Sequence, residues 1–324
     1  MKKLLLASVA ALLPAMGIAA AAGLQWAYPV APQGLPQPDP AKTFRVKGAR
    51  ADMMLTMAQI NNNFGPPDWF PDEHPPMPGI VKSGREPHVR ACMACHLAHG
   101  NGHPESASIS GLTANYIIEQ VHELRDGNRV YVGLPASTRP PAMIEIANDI
   151  TEAELKAAAD YFASIPREQQ KWIKVVEGST APKNHVGRGG MRFLDEGTTE
   201  TMPIPANMIY EVAADGQGAL LRDPHAGFID FVPEGSVKKG ELLASTGGNG
   251  KTIQCSMCHG ADFRGLGDVP RLAGRGAYYL IRQLNDIRNG ARKGSSVALM
   301  KPVVQNLTDE DMVNLVAYMA SRDP

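Results

Sequence analysis

Cysteine is scarce: four occur in 324 residues, and all four fall in two short stretches. None remains for a structural disulfide or a separate catalytic thiol. Aromatic residues make up only 6% of the chain, and neither sign of charge is in excess, with 32 Lys/Arg against 33 Asp/Glu. A balance of −1 gives no electrostatic reason to bind a polyanion, so no nucleic-acid partner is expected. Beyond residue 22 no apolar run reaches the ~20 residues that a membrane-spanning helix needs. What the chain has in quantity is Pro (26) and Gly (32), which predict turns between short helices. Its 44% hydrophobic content is enough for two modest cores.

The chain starts Met1-Lys2-Lys3, runs apolar from Leu4, and ends that run in the small residues Ala19 to Ala22. This is the form of a cleaved secretory signal over residues 1–22, and it predicts a mature protein in the periplasm. An uncleaved anchor is the alternative, which Pro14 and Gly17 disfavour.

The two cysteine stretches are Cys92-Met93-Ala94-Cys95-His96 and Cys255-Ser256-Met257-Cys258-His259. In C-x-x-C-H, two thiols three positions apart can each bond one vinyl group of a haem, and the following imidazole lies under the iron. Two covalently bound haem c groups are therefore expected, attached at Cys92, Cys95, Cys255 and Cys258, with iron on His96 and His259. A redox dithiol or half a zinc site is the competing reading.

The stretches lie 163 residues apart, and that offset persists downstream. Tyr116, Ile117, Gln120, Val121, Leu124, Gly127 and Arg129 fall on Tyr279, Leu280, Gln283, Leu284, Ile287, Gly290 and Arg292. The apolar positions recur at i, i+4 and i+7, one buried helical face, and the glycine is a natural stop. Later the offset becomes 157: Met143 falls on Met300, Thr151 on Thr308, Leu155 on Met312 and Phe162 on Met319. The difference is accounted for by an inserted loop over residues 133–141. Thr151 with Glu154 and Thr308 with Asp311 read as capping boxes opening a terminal helix in each copy.

This register nominates Met143 and Met300, each on a proline-marked loop, as second axial ligands. Thioether ligation is that of electron-carrying c cytochromes. Core filling is the ordinary role of a methionine. His99, His103 and His122 offer bis-His ligation in the first copy but have no counterparts in the second, and His74 and Met77 are weaker candidates still.

Residues 23–78 are proline-dense and predict an extended strap, with one short helix over residues 50–61 and with Trp69 and Phe70 pinning it to a core. Between the copies, residues 208–212 and 228–232 predict a small antiparallel sheet. A spacer fixing the distance between the haems is favoured for this insert over a partner-binding platform.

At this point the sequence resembles the tandem two-domain, di-haem c-type cytochromes of the cytochrome c-four group. The second half carries the likeness best, through Cys255 to Gly260, Pro270-Arg271-Leu272-Ala273-Gly274, Tyr279-Leu280, Gln283-Leu284, Arg292, Met300 and the Leu307 to Asp311 helix start. The first half matches through Cys92 to His96, Tyr116, Gln120, Gly127, Arg129 and Met143, but Leu97 stands where the family has glycine. The strap and the long insert also depart from the pattern.

The resemblance implies a mainly α protein, with two class I cytochrome c domains (residues 79–166 and 237–324) joined by a small β-containing insert (residues 167–236). It further implies Tyr116, Arg275 and Tyr279 near the haem propionates. The function expected is periplasmic electron transfer between redox protein partners, in association with a membrane-bound oxidase or dehydrogenase. An enzyme alternative is a peroxidase-like oxidoreductase with an open haem in the first domain, and a third is a tether joining other redox proteins. Nine Lys/Arg face three Asp/Glu from Lys251 to Lys301, whereas Cys92 to Met143 holds three against four, an asymmetry suited to orienting a partner.

Overall fold

The computed structural model describes residues 23–50, 52–130, 142–166 and 172–324. The apolar leader, the whole inserted loop, residue 51 and residues 167–171 lie outside them.

The front segment opens with a 3-10 turn, Leu24–Ala27, and holds a two-stranded ribbon of β1 (Thr43–Phe44) and β2 (Leu55–Thr56) before α1 (Met57–Ile60). The helix expected over residues 50–61 is thus only one turn long. Thr56 and Gln59 form a capping box that fixes its start, and Asn61 ends it. Met57 and Ile60 are buried as expected, whereas Met54 is exposed. Local capping here outweighs the apolar spacing. Trp69 and Phe70 do bury, in a small cluster with Val46, Ile60 and Leu221.

The first repeat comprises α2 (Gly79–Lys82), α3 (Met93–His96), α4 (Ala114–Arg125), α5 (Ala142–Asp149) and α6 (Glu152–Ser164) around one apolar cluster. Leu155, Ala158, Ala159 and Phe162 of α6 face this cluster, and Thr151 with Glu154 forms the expected capping box.

The insert is larger than a hairpin. Strands β3 (Ile173–Gly178), β5 (Asn184–Val186), β6 (Arg192–Leu194), β8 (Tyr210–Ala213) and β9 (Phe228–Pro233) form one sheet in the order β3-β9-β8-β6-β5. The short β4 (Thr180–Pro182) and β7 (Thr201–Pro203) make a separate antiparallel pair. The expected antiparallel pairing is present between β8 and β9, but β3 runs parallel to β9 and β6 parallel to β8, so the sheet is mixed. The physical reason is burial on both faces. Along β9, Phe228 and Val232 pack on the second-repeat core while Ile229 and Phe231 pack on the opposite cluster. A one-turn helix, α7 (Gly216–Leu220), follows β8.

The second repeat contains α8 (Ser236–Thr246), α9 (Ser256–His259), α10 (Ala277–Asn289), α11 (Lys301–Val304) and α12 (Asp309–Ser321). Helix α12 is buried nearly all round because α8, α10 and β3 all pack on it. Gly240 makes the closest crossing possible, since a Cβ there would stand 1.9 Å from the Asn314 carbonyl oxygen.

The insert does not separate the repeats. They touch directly: the Val130 amide donates to the Ala291 carbonyl (2.8 Å) and the Lys293 amide to the Asn128 carbonyl (2.8 Å). The spacer expectation is corrected accordingly, because the β-branched and aromatic faces of the sheet bury against the second-repeat helices instead of spanning a gap.

Candidate functional site

Each C-x-x-C-H stretch folds as one helical turn, α3 or α9, with the first cysteine at the N-terminal boundary and the histidine as the last helical residue. In both copies the histidine is buried and bonded to a backbone carbonyl: His96 Nδ1 to Ala107 (2.8 Å) and His259 Nδ1 to Pro270 (2.7 Å), acceptors that are themselves 163 residues apart. A carbonyl only accepts, so Nδ1 carries the hydrogen and Nε2 keeps its lone pair. Burial lowers the pKa of both imidazoles, which keeps them neutral. This is how proteins orient an imidazole for a metal.

The four cysteines form no disulfide with one another. Burial pushes the Cys92 thiol up to about 12 and Cys255 up to about 11, and also raises Cys95. A reactive redox dithiol carries a thiol of lowered pKa, so the raised Cys92, Cys95 and Cys255 argue against that reading. Among the described residues, no three His, Cys, Asp or Glu side chains converge to hold a bare metal ion.

The second ligand candidates sit on helical turns rather than on the loops expected. Met143 is in the first turn of α5, half-buried on the cluster that holds Met93 and Ala94. Met300 ends a 3-10 turn, Ser295–Met300, half-buried on the cluster that holds Phe263 and Tyr279. Pro302 near the start of α11 is compatible with a helix because the first turn needs no amide donor there. The remaining histidines have other surroundings. His122 pairs with Glu152 (3.0 Å), His74 with Asp68 (3.1 Å), and His99 and His103 are buried. Met77 packs on the first-repeat core.

The repeat register becomes physical where the copies meet. Arg129 donates to its own Gln120 (3.2 Å) and, across the junction, to Gln283 (3.0 Å) and the Tyr279 hydroxyl (3.3 Å). Arg292 donates to its own Gln283 (3.1 Å) and, across the junction, to Gln120 (2.6 Å) and the Tyr116 hydroxyl (3.2 Å). The backbones of Arg129 and Arg292 pair as an antiparallel bridge. Arg275 stacks on the Tyr279 ring at 4.4 Å, and donates to the Ser108 carbonyl (2.9 Å).

The three residues expected near propionates, Tyr116, Arg275 and Tyr279, are thus brought to this junction. Arg129, Arg292, Gln120 and Gln283 belong with them, although the sequence marked these four only as repeat positions. The signal was there: an arginine kept in register on both copies just beyond a buried helical face.

Cations are in excess at the junction. Arg275 and Arg292 are buried, and among the described residues the Nε atom of each has no acceptor. Burial alone would raise the Tyr279 phenol, but Arg129, Arg275 and Arg292 outweigh it and bring the group down to about 7. A site of this kind is short of anions, and a group bearing carboxylates suits it. Together with the oriented imidazoles and the thiol pairs, the residues present fit haem c. The same burial corrects the docking expectation: of the nine cations between Lys251 and Lys301, Arg271, Arg275, Arg282 and Arg292 are buried and do not face a partner.

The insert contributes a feature with no sequence signal. Helix α10, which carries Tyr279 and Gln283, starts at Gly276 without a side-chain cap of its own. Glu211 of β8 accepts from the Tyr278 amide (2.6 Å) and Asp230 of β9 from the Ala277 amide (3.3 Å). Burial raises both carboxyls, and their proximity raises Asp230 further.

Comparison with known proteins agrees with this geometry. The cytochrome c family profile matches residues 237–323. Cytochrome c-554(548) of Halomonas halodenitrificans is 42% identical over 77 residues, 24% of this chain and 93% of that protein. Cytochrome c4 of Pseudomonas aeruginosa is 40% identical over 76 residues, 23% of this chain and only 36% of that relative's length. The thiosulfate dehydrogenase electron acceptor of Thiomonas intermedia is 24% identical over 239 residues, 73% of this chain and 80% of that protein.

Proposed function

The chain belongs to the cytochrome c family as a tandem member with two covalently bound haem c groups, and on that premise we propose that it passes single electrons between redox proteins in the periplasm. When bound, each haem supplies a one-electron iron couple. The chain does the rest. In our reading Cys92 and Cys95, and Cys255 and Cys258, take the thioether bonds. His96 and His259 would each ligate one iron, oriented by the Ala107 and Pro270 carbonyls. Met143 and Met300 would supply a second protein ligand to each iron, and irons held in that way would lack an open site for oxygen or peroxide chemistry, which disfavours the enzyme alternative.

The observation that carries this reading is the pair of identically built histidine turns on two repeats that share a cation-rich junction. In this reading Arg275, Arg292 and Tyr279, with Tyr116, would hold haem carboxylates at the junction, an arrangement that suits transfer between the two sites. Among the described residues no helix is long and apolar enough to cross a membrane. The likeness over 73% of the chain to a protein named as an electron acceptor of thiosulfate dehydrogenase supports a dehydrogenase as the donor.

Haem content and the optical spectrum of the oxidised protein test the reading. Two haems per chain with a methionine–iron charge-transfer band integrating to both are expected. High-spin haem, or rapid turnover of peroxide, overturns it.

A further inference from the structure

The two attachment turns share a register but not their surroundings. Ala94 is 1% exposed and Met93 2%, whereas Met257, in the position equivalent to Ala94, is 67% exposed. Cys258 is exposed as well, while Cys95 is half-buried.

Met93 and Ala94 pack on their own repeat's core, and further cover over the turn comes from outside that repeat. Arg222, just after α7 in the insert, lies in the left-handed region (φ 62°). Its guanidinium donates to the Ala94 carbonyl inside the attachment turn, to the Ile60 carbonyl (2.9 Å) and to the Asn61 side-chain oxygen (3.4 Å). Trp69 holds the adjoining residue by donating to the Leu221 carbonyl (2.7 Å), and Asn101 donates to the Pro224 carbonyl (3.0 Å). Strap, insert and first turn therefore meet on one arginine.

All three acceptors of Arg222 are neutral oxygens, and among the described residues it forms no ion pair. Burial lowers the Arg222 pKa, against which Cys95 and then the Glu105 carboxylate act. A positive charge held beside a redox centre favours the form with one more electron, because reduction removes positive charge from the site. Exclusion of water from the turn acts in the same direction, since burial disfavours the more highly charged form.

Resting on the two-haem electron-transfer reading, we infer that Arg222 is a positioning residue that raises the reduction potential of the first haem. It biases the internal equilibrium, in which the second site is oxidised by one electron and the first reduced by one, toward an electron on the first site. The strap and insert are then the device that makes two repeats of one design unequal.

Spectroelectrochemical titration of the full haem-loaded chain tests this, with Arg222→Gln removing the charge and Arg222→Lys keeping it. The moving haem is identified by NMR contacts to methyl-labelled Met93 in the first turn or Met257 in the second. Arg222→Gln should shift the electron distribution about tenfold away from the first haem, the order expected of one charge at the edge of a buried site. That is a fall of about 59 mV in its midpoint for a one-electron couple. The second midpoint should stay in place, and Arg222→Lys should retain most of the native value. Arg222→Met, similar in length and uncharged, gives the same comparison if the glutamine variant is unstable. Unmoved midpoints overturn the inference, as does a shift in the haem that contacts Met257, or an equal fall in the lysine variant. Fewer than two haems, or high-spin iron, would instead defeat the electron-transfer reading itself.

Discussion

Arg129 and Arg292 should show a specific departure from additivity. The Gln120 side-chain oxygen accepts from both arginines (3.2 and 2.6 Å), and so does that of Gln283 (3.0 and 3.1 Å). Replacing either arginine with methionine leaves each amide oxygen one donor, and relieves the repulsion between the two cations. Each single change should cost about 1.5–3 kcal/mol, the usual loss for hydrogen bonds to a charged group, and a haem carboxylate released by Arg292 adds equally to its single and the double variant and so cancels from the cycle. The double change leaves both oxygens without an arginine donor, and Gln120 is 8% exposed, so water replaces the donors poorly there. An orphaned buried acceptor costs about 1–3 kcal/mol, so the double variant should exceed the sum of the singles by about that amount. Urea unfolding of the four haem-loaded chains measures this cycle. Additivity within about 0.5 kcal/mol would mean that the two arginines act independently and that the shared-acceptor account is wrong.

Two other predictions follow from single residues. Leu97 lies at φ 61°, ψ 165°, where Gly260 lies at φ 83°, ψ 156° in the second copy. That region is almost reserved for glycine and costs other residues about 1–3 kcal/mol. Leu97→Ala keeps the backbone cost and opens a cavity at a buried position, whereas Leu97→Gly opens the cavity but removes that cost. The glycine variant should thus be at least as stable as the alanine one, by about 0.5 kcal/mol after allowing for the freer unfolded chain, and a clearly more stable alanine variant would refute it. His99 is lowered to about 4, chiefly by burial and then by His74. A depressed histidine withholds a proton that the unfolded chain binds, so its contribution is present above pH ~6.5 and is lost as the pH falls toward 4. At most about 3 kcal/mol is at stake. His99→Gln should flatten the stability curve over that window, and an unchanged curve in pH-dependent denaturation would rule the residue out.

Much of the two repeats was legible in the sequence because their signals are local. The 163 and 157 offsets meet in one bond of each copy: the Gly111 amide on the Phe162 carbonyl, and the Gly274 amide on the Met319 carbonyl. Both terminal-helix capping boxes formed because Thr151 and Thr308 need a partner only three residues away. The errors lie where distant segments decide the outcome. The mixed sheet depends on β3 pairing with β9, more than fifty residues on in the chain, and no period within either strand encodes that. Arg222 has no motif around it, yet its partners are Ile60 and Ala94. The apolar spacing of Met53, Met54, Met57 and Ile60 suggested a longer helix because periodicity reports a shared face without reporting where a cap interrupts it.

The more regular copy in sequence is the less self-sufficient in structure. Helix α4 of the first repeat is capped by its own Thr113, whose hydroxyl accepts from the Tyr116 amide (3.2 Å). Its counterpart α10 begins at a glycine, and the orphan amides of its first turn are met by Glu211 and Asp230 from the insert sheet. Helix α10 also receives the strap, with Arg282 donating to the Ala27 carbonyl (3.0 Å) and Asp286 accepting from the Tyr28 hydroxyl (2.7 Å). The orientation of Tyr279 and Gln283 at the junction therefore depends on segments that the repeat pattern does not contain. Strap and insert act on both copies, but differently: they cover the attachment turn of the first and set the junction helix of the second, whose own attachment turn they leave open.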